Sequence, residues 1–200
     1  LRTRMIYILS ACLILLTGCR VEMATELPQK QAAPSGIRIE ITGTVLLQEK
    51  ELIVEGQSNL PEDSILFAGL KDYGEFESYA RVINWQGEES EEYVTESTGV
   101  VDEKGNFQIK VNRVNPGSRY KLEVLFNPAI QKSKIQEIYG FWGEEIAPNI
   151  GYLDFEYNEN TVSGMILVAP IVSITDPYGN GAKWNLTNIP NKSRALKEES

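Results

Sequence analysis

Histidine is absent from all 200 residues, and this limits the chemistry open to the chain. Zinc sites with imidazole ligands, Ser-His-Asp triads and Cys-His dyads all need that ring. The G-x-S-x-G and G-x-x-x-x-G-K-[ST] signatures are missing as well. Carboxylates, hydroxyls, lysines and two cysteines, Cys12 and Cys19, remain. Paired carboxylates can hydrolyse glycosidic bonds when one of them is buried enough to stay protonated. The candidates are Glu88, Glu89, Glu91 and Glu92 in one run and Glu144 with Glu145 in another. Runs of Glu are also what a solvated loop uses, and both runs read as exposed. Asp102 and Asn106 in "DEKGN", and Asp176 and Asn180 in "DPYGNG", offer oxygen ligands for calcium. Neither follows the EF-hand spacing, and both are ordinary turn compositions, so no metal site is assigned.

One aromatic cluster stands out from the turns. Tyr139, Phe141 and Trp142 in "YGFWGEE" lie among glycines and are followed by Glu144 and Glu145. Such rings can form an exposed platform for a sugar or a partner peptide, or they can cover one open end of a core. Trp85 and Trp184 stand alone and read as packing residues.

The elements around these residues begin with an apolar run from Met5 to Leu16, preceded by Arg2 and Arg4. About a dozen residues are too few for a bilayer span, which needs about 20. A charged start, a short apolar stretch and small residues after it are the parts of a secretory signal peptide. Starting at Met5 would remove both arginines, so the longer form with Leu1 as the initiating position is expected. Leu16, Thr17 and Gly18 before Cys19 resemble the lipobox of bacterial lipoprotein precursors. The resemblance implies cleavage after Gly18, a diacylglyceryl group on the Cys19 thiol with or without an N-acyl chain, and no other cofactor. It implies a protein held at the cell membrane, on its extracytoplasmic face. Thiol catalysis falls with that assignment, and no disulfide is possible once Cys12 is removed.

Removing residues 1–18 takes two of the 19 basic side chains and no acidic one. Seventeen basic groups then face 28 acidic ones, and the net charge moves from −9 to −11. Nucleic acid is a poor partner for such a body, because phosphate neutralisation needs clustered Lys and Arg. Flat electrostatic adhesion to anionic lipid is disfavoured for the same reason, so acyl chains must supply the attachment. Residues 20–36 mix charge, Gln, Ala, Pro and Gly without a period and read as a tether, with a typical reach of roughly 20–25 Å.

From Ile37 the hydrophobic period becomes two. Ile37, Ile39 and Ile41 share one face and Arg38, Glu40 and Thr42 the other. "ELIVEGQ", "SILFAGL", "FESYARVINWQ", "EYVTESTGVV", "FQIKVNR", "RYKLEVLF", "GYLDFEY" and "TVSGMILVAPIVSI" read as further strands, punctuated by Gly, Pro and Asn. The segment "AIQKSKIQEIYG" allows one or two helical turns with Ile130, Ile135 and Ile138 on one side. "NEN" at 158–160 reads as a hairpin loop. The expected architecture is all-β, an antiparallel sandwich with short non-strand insertions. Its layout is a signal peptide at 1–18, lipidated Cys19 and tether at 19–36, the sandwich at 37–175 and a turn-rich extension and tail at 176–200.

Three passages resemble known modules. "VEGQSNLPEDSIL" resembles the start of immunoglobulin-like modules in small lipoproteins of Gram-positive bacteria, with Asp63 where Gly often stands. "TGVVDEKGNFQIKV…NPGSRYKLEV" resembles the second half of such modules and, more loosely, transthyretin-like sandwiches, through D-x-x-G-x-F and P-G-x-x-Y. "QKSKIQEIYGFWGEEI" is similar to a closing segment of the same lipoprotein group. These motifs, spanning residues 52–146, describe turns and not chemistry. Taken together, the expected role is a non-catalytic binding module of the cell envelope, contacting an envelope protein or a wall component. The alternative is a carboxylate-dependent hydrolase of cell-wall polymers. A ligand-binding receptor feeding a transporter ranks last, because the chain lacks two α/β lobes.

Overall fold

A computed structural model describes residues 36–48, 50–74, 76–83, 86–115, 117–171 and 183–189. The signal peptide, Leu16 to Cys19, the tether up to residue 35, Trp85, Asp176, Asn180 and the tail from 190 lie outside the described residues. Among the described residues no helix is long and apolar enough to cross a membrane.

Alternation of apolar and polar residues produces ten strands within the described residues, arranged as two antiparallel sheets. They are β1 (Ile41–Gln48), β2 (Glu51–Ser58), β3 (Ile65–Asp72), β4 (Thr95–Val100), β5 (Asn106–Asn112), β6 (Tyr120–Phe126), β7 (Tyr152–Tyr157), β8 (Asn160–Ile171), β9 (Lys183–Asn185) and β10 (Thr187–Asn188). The first sheet runs β5-β2-β1-β9, and the second runs β10-β8-β6-β3-β4 with β7 also on β8. Short helices are α1 (Tyr79–Ile83) and α2 (Ser133–Tyr139), the latter preceded by a 3-10 turn at Pro128–Ile130.

The core lies between the sheets. Strand β5 shows the alternation without a break: Phe107, Ile109 and Val111 are buried, while Asn106, Gln108, Lys110 and Asn112 are exposed. Leu52 and Val54 of β2, Leu66, Ala68 and Leu70 of β3, and Leu122 and Val124 of β6 face them from both sheets. Each of the larger ones, Val, Leu, Ile or Phe, contributes about 1.5–3 kcal/mol through removal from water. Ile39 and Ile41 join this core as their spacing predicts, whereas Ile37 is 38% exposed. Ile37 is instead held by its main chain, which bridges to Ile146 in parallel.

Turn chemistry sets the register. The β7–β8 loop shortens to Asn158 and Glu159, whose φ values of 48° and 62° give the type I′ geometry that fits strand twist. Asp63 also takes a positive φ of 70°. Asp tolerates that region better than most residues, and its carboxylate lies 2.8 Å from Lys134 Nζ and 3.3 Å from Lys132 Nζ.

Three expectations change. "FESYARVINWQ" contains the short helix α1 where a strand was expected, inside a long excursion between the neighbouring strands β3 and β4. On α2 the buried pair is Ile135 and Tyr139, four residues apart on one face, while Ile138 is 39% exposed. Residues 183–189, expected in an extension beyond the sandwich, add β9 to the first sheet and β10 to the second. Only Leu186 separates these strands, and its N–H donates to Gly43 O at 2.9 Å. On the opposite side β4 of the second sheet passes to β5 of the first through the 102–106 turn, which joins the two sheets and is not a hairpin. Gly99 there lies so close to β5 that an added Cβ would sit 2.6 Å from Gln108 O.

Candidate functional site

Two places gather polar or aromatic side chains beyond what the core needs. The first is the loop after α2. Gly140, at φ 81°, ends the helix by donating its N–H to Gln136 O at 2.8 Å. Gly143, at φ 82°, turns the chain again. Main-chain bonds then close the loop: Glu145 N–H to Tyr139 O at 3.1 Å, and Ser163 N–H to Trp142 O at 2.8 Å. From the N-terminal side, Ile37 N–H donates to Glu145 O at 2.6 Å.

Within this frame the predicted residues part company. Tyr139 is buried, packed edge-on against Phe126 at 5.3 Å, so it belongs to the core and not to an exposed platform. Burial pushes its hydroxyl pKa up. Phe141 is 46% exposed and meets Trp142 edge to face at 4.5 Å and 87°. Glu144 folds back over Gly140 and accepts the Trp142 N–H at 3.0 Å; both Glu144 and Glu145 are exposed. The surface that remains is an outward phenyl ring braced by an indole, with the Glu144 carboxylate on the Trp142 main chain.

The second place is the outer face of the second sheet. Successive residues of β6 point to opposite sides, so Tyr120, Leu122, Val124 and Phe126 enter the core and Lys121, Glu123 and Leu125 face away. Alternation alone would leave these three in water. They are covered instead by the 73–94 excursion and by chain near β10: Leu125 packs with Ile166, Val168 and Ile189. Lys121 has a side chain of 0% exposure, and its Nζ touches Glu89 Oε2 and lies 2.7 Å from Glu123 Oε1. Tyr93 OH donates to the other oxygen of Glu123 at 2.7 Å. Burial, then the Glu123 charge, raises the Tyr93 pKa far above its ordinary value.

Room for this cover comes from Gly69. An added Cβ there would lie 2.4 Å from Tyr93 Cδ1, so the tyrosine ring rests directly on the strand. The ring also meets Phe67 edge-on at 4.9 Å, and Lys71 Nζ stands 5.1 Å from its centroid. The excursion is pinned beside β3 by Ser90, whose N–H donates to Asp72 O at 2.8 Å. Arg119 lies 4.8 Å over the Tyr73 ring at the same end.

Glu89 is therefore the one member of the acidic run drawn into the protein, while Glu88, Glu91 and Glu92 stay exposed. The partner of Glu89 is Lys121 and not another carboxylate of the run. Asp102 is absorbed by its own turn: Oδ1 accepts the Lys104 and Asn106 N–H groups at 2.8 Å each. Asn106 holds its pKa below the usual range. Among the described residues no cluster of three metal-ligating side chains occurs. Ser118 and Lys121 have the S-x-x-K spacing of serine acyl-enzymes, but only a helix would bring such positions together. Here Ser118 Oγ sits in the turn, accepting from Asn115 Nδ2 at 2.9 Å.

The lysine centre escapes sequence reading because "RYKLEVLF" looks like a strand with one wet face. The available signal is topological. Some twenty residues join two adjacent strands, and a single glycine stands where a tyrosine lies across the sheet. Compared with known proteins, the chain matches no family model, no curated protein and no solved structure.

Proposed function

We propose that this chain is a lipid-anchored extracytoplasmic lipoprotein of a bacterial, Gram-positive type. Its two-sheet domain, an immunoglobulin-like or transthyretin-like module, acts as a non-catalytic interaction module of the cell envelope. Support for the anchor is the Leu16-Thr17-Gly18-Cys19 lipobox behind a short basic and apolar leader. Support for the module comes from the D-x-x-G-x-F and P-G-x-x-Y motifs, whose Phe107 and Tyr120 both enter the core.

The observation that carries an interaction role is the exposed Phe141 ring. Its loop is held by main-chain bonds on three sides, which keeps an apolar side chain in water without collapse. A braced aromatic at the surface is the kind of anchor that binding hot spots use. The same loop receives Ile37, the point where the proposed tether from Cys19 joins the domain, so its partner lies within about 20–25 Å of the membrane. That partner is an envelope protein or a wall component.

In-cell crosslinking from the membrane-anchored protein tests this reading. Replacing Phe141 and Trp142 with alanine is expected to remove specific crosslinks while the domain stays folded. An unchanged crosslink pattern would overturn the surface, and failure of Cys19 to take up labelled palmitate would overturn the anchor. Turnover of peptidoglycan fragments by the purified domain would favour the hydrolase reading instead.

A further inference from the structure

We propose that Lys121 and Glu89 become joined, side chain to side chain, by an amide bond that forms in the folded protein, with Glu123 moving the protons. The three groups such a reaction needs are already in contact, with the lysine between the two carboxylates. The nucleophilic nitrogen of Lys121 touches the Glu89 carboxylate on one side and lies 2.7 Å from Glu123 on the other. Side-chain exposure is 0% for Lys121, 3% for Glu123 and 15% for Glu89. Tyr93 closes the site from above and orients Glu123 by donating to its second oxygen at 2.7 Å. Lys71 on β3, 5.1 Å from the Tyr93 ring centroid, Glu96 on β4, paired across from Gly69, and Arg119, over the Tyr73 ring, are further charged groups on this face.

The reaction balances without an oxidant, metal or cofactor. One proton passes from the Lys121 ammonium to Glu123, leaving a free amine. The nitrogen lone pair attacks Cδ of Glu89, and the second nitrogen proton and the proton on Glu123 move to the Glu89 oxygen that departs. A C–N bond forms, a C–O bond breaks, and ammonium plus carboxylate become amide plus one water. Holding both reactants in place is worth effective concentrations of about 10⁵–10⁸ M in well-oriented intramolecular reactions. The product is also better suited to the site. A buried ammonium and carboxylate each carry a desolvation cost, and condensation removes both charges.

The bond would tie the 73–94 excursion to the central strand of its sheet and close a loop from residue 89 to 121. Loop closure of this kind stabilises mainly by restricting the unfolded chain, as a disulfide does. The only cysteines, Cys12 and Cys19, both precede the domain, so no disulfide can serve there.

Mass spectrometry of the wild-type protein decides the matter and does not depend on the lipoprotein reading. The intact domain is expected to weigh one water less than its sequence. A tryptic digest under denaturing conditions is expected to yield residues 82–104 linked to 120–132, since Lys121 can no longer be cleaved. Lys121→Met and Glu89→Ala should each restore the full mass, and Glu123→Gln should leave both partners present but unjoined. A wild-type protein with full mass and separate 120–121 and 122–132 peptides would show an ordinary ion pair and overturn the proposal. Full crosslinking in a folded Glu123→Gln variant would overturn the role of Glu123.

Discussion

The loop at Gly140–Ile146 and the cover over β6 solve opposite problems. The loop uses main-chain hydrogen bonds and two left-handed glycines to hold an apolar ring outward. The cover uses side-chain charges to draw a long polar excursion inward over Lys121. Exposed Phe141 costs the fold little if lost, because few neighbours depend on it. Buried Lys121 is costly to lose, because two carboxylates would remain in a dry site without a cation. Residues placed for stability and residues placed for contact thus separate by what removal leaves behind.

Substitutions can break that contrast in graded steps. Lys121→Met should destabilise most, by about 3–5 kcal/mol, because it removes the proposed link to Glu89 and leaves Glu89 and Glu123 without their buried partner. Urea denaturation measures it, and a loss below about 1 kcal/mol would mean that the cover is not clamped as described. Gly143→Ala should follow at about 1–3 kcal/mol, since it forces a side chain into φ 82° with its Cβ 2.0 Å from Ser163 O. If this variant left both stability and the crosslink pattern unchanged, the loop would not be rigid.

Tyr93→Phe leaves one Glu123 oxygen without its donor and should cost about 1–3 kcal/mol near neutrality. Its pH dependence sharpens the test. Burial and Glu123 raise the Tyr93 pKa in the folded state, so the neutral phenol is the folded form. That contribution is complete below the ordinary tyrosine pKa of 10.0 and is lost as pH rises beyond it, because only the unfolded chain then ionises. Wild-type stability should therefore fall more steeply above pH 10 than that of Tyr93→Phe; equal slopes would place the phenol in water.

Asp63 runs the other way and on a smaller scale. The Lys134 hydrogen bond, helped by Lys132, lowers its pKa in the folded state. Its contribution is present above the ordinary carboxylate pKa of 3.8 and disappears as pH falls through the folded value. Asn also tolerates a positive φ, so Asp63→Asn should lower the melting temperature slightly at pH 7 and not at all at the acid end. The smallest effect on stability belongs to Phe141→Ala, within about 0.5 kcal/mol, although it should have the largest effect on crosslinking. A collapse in stability there would move Phe141 from the contact surface into the core.

Much of the fold was legible in the residues. Ile39 and Ile41, the β5 alternation, the 102–106 turn and the 158–159 turn follow from period two and local turn chemistry, which neighbouring residues decide by themselves; that the 102–106 turn crosses between sheets does not. The candidate loop was legible as a cluster but not in its detail: whether Tyr139 or Phe141 faces water depends on where α2 docks against Phe126. Composition also spoke for itself, in the missing histidines and the acidic excess. What tertiary structure alone decided is the second life of β6. A strand's pattern tells which residues share a face, but not whether distant chain will cover that face. Glu89, Tyr93 and Lys121 become one site only because the excursion returns over Gly69, a contact between segments whose spacing carries no mark of it.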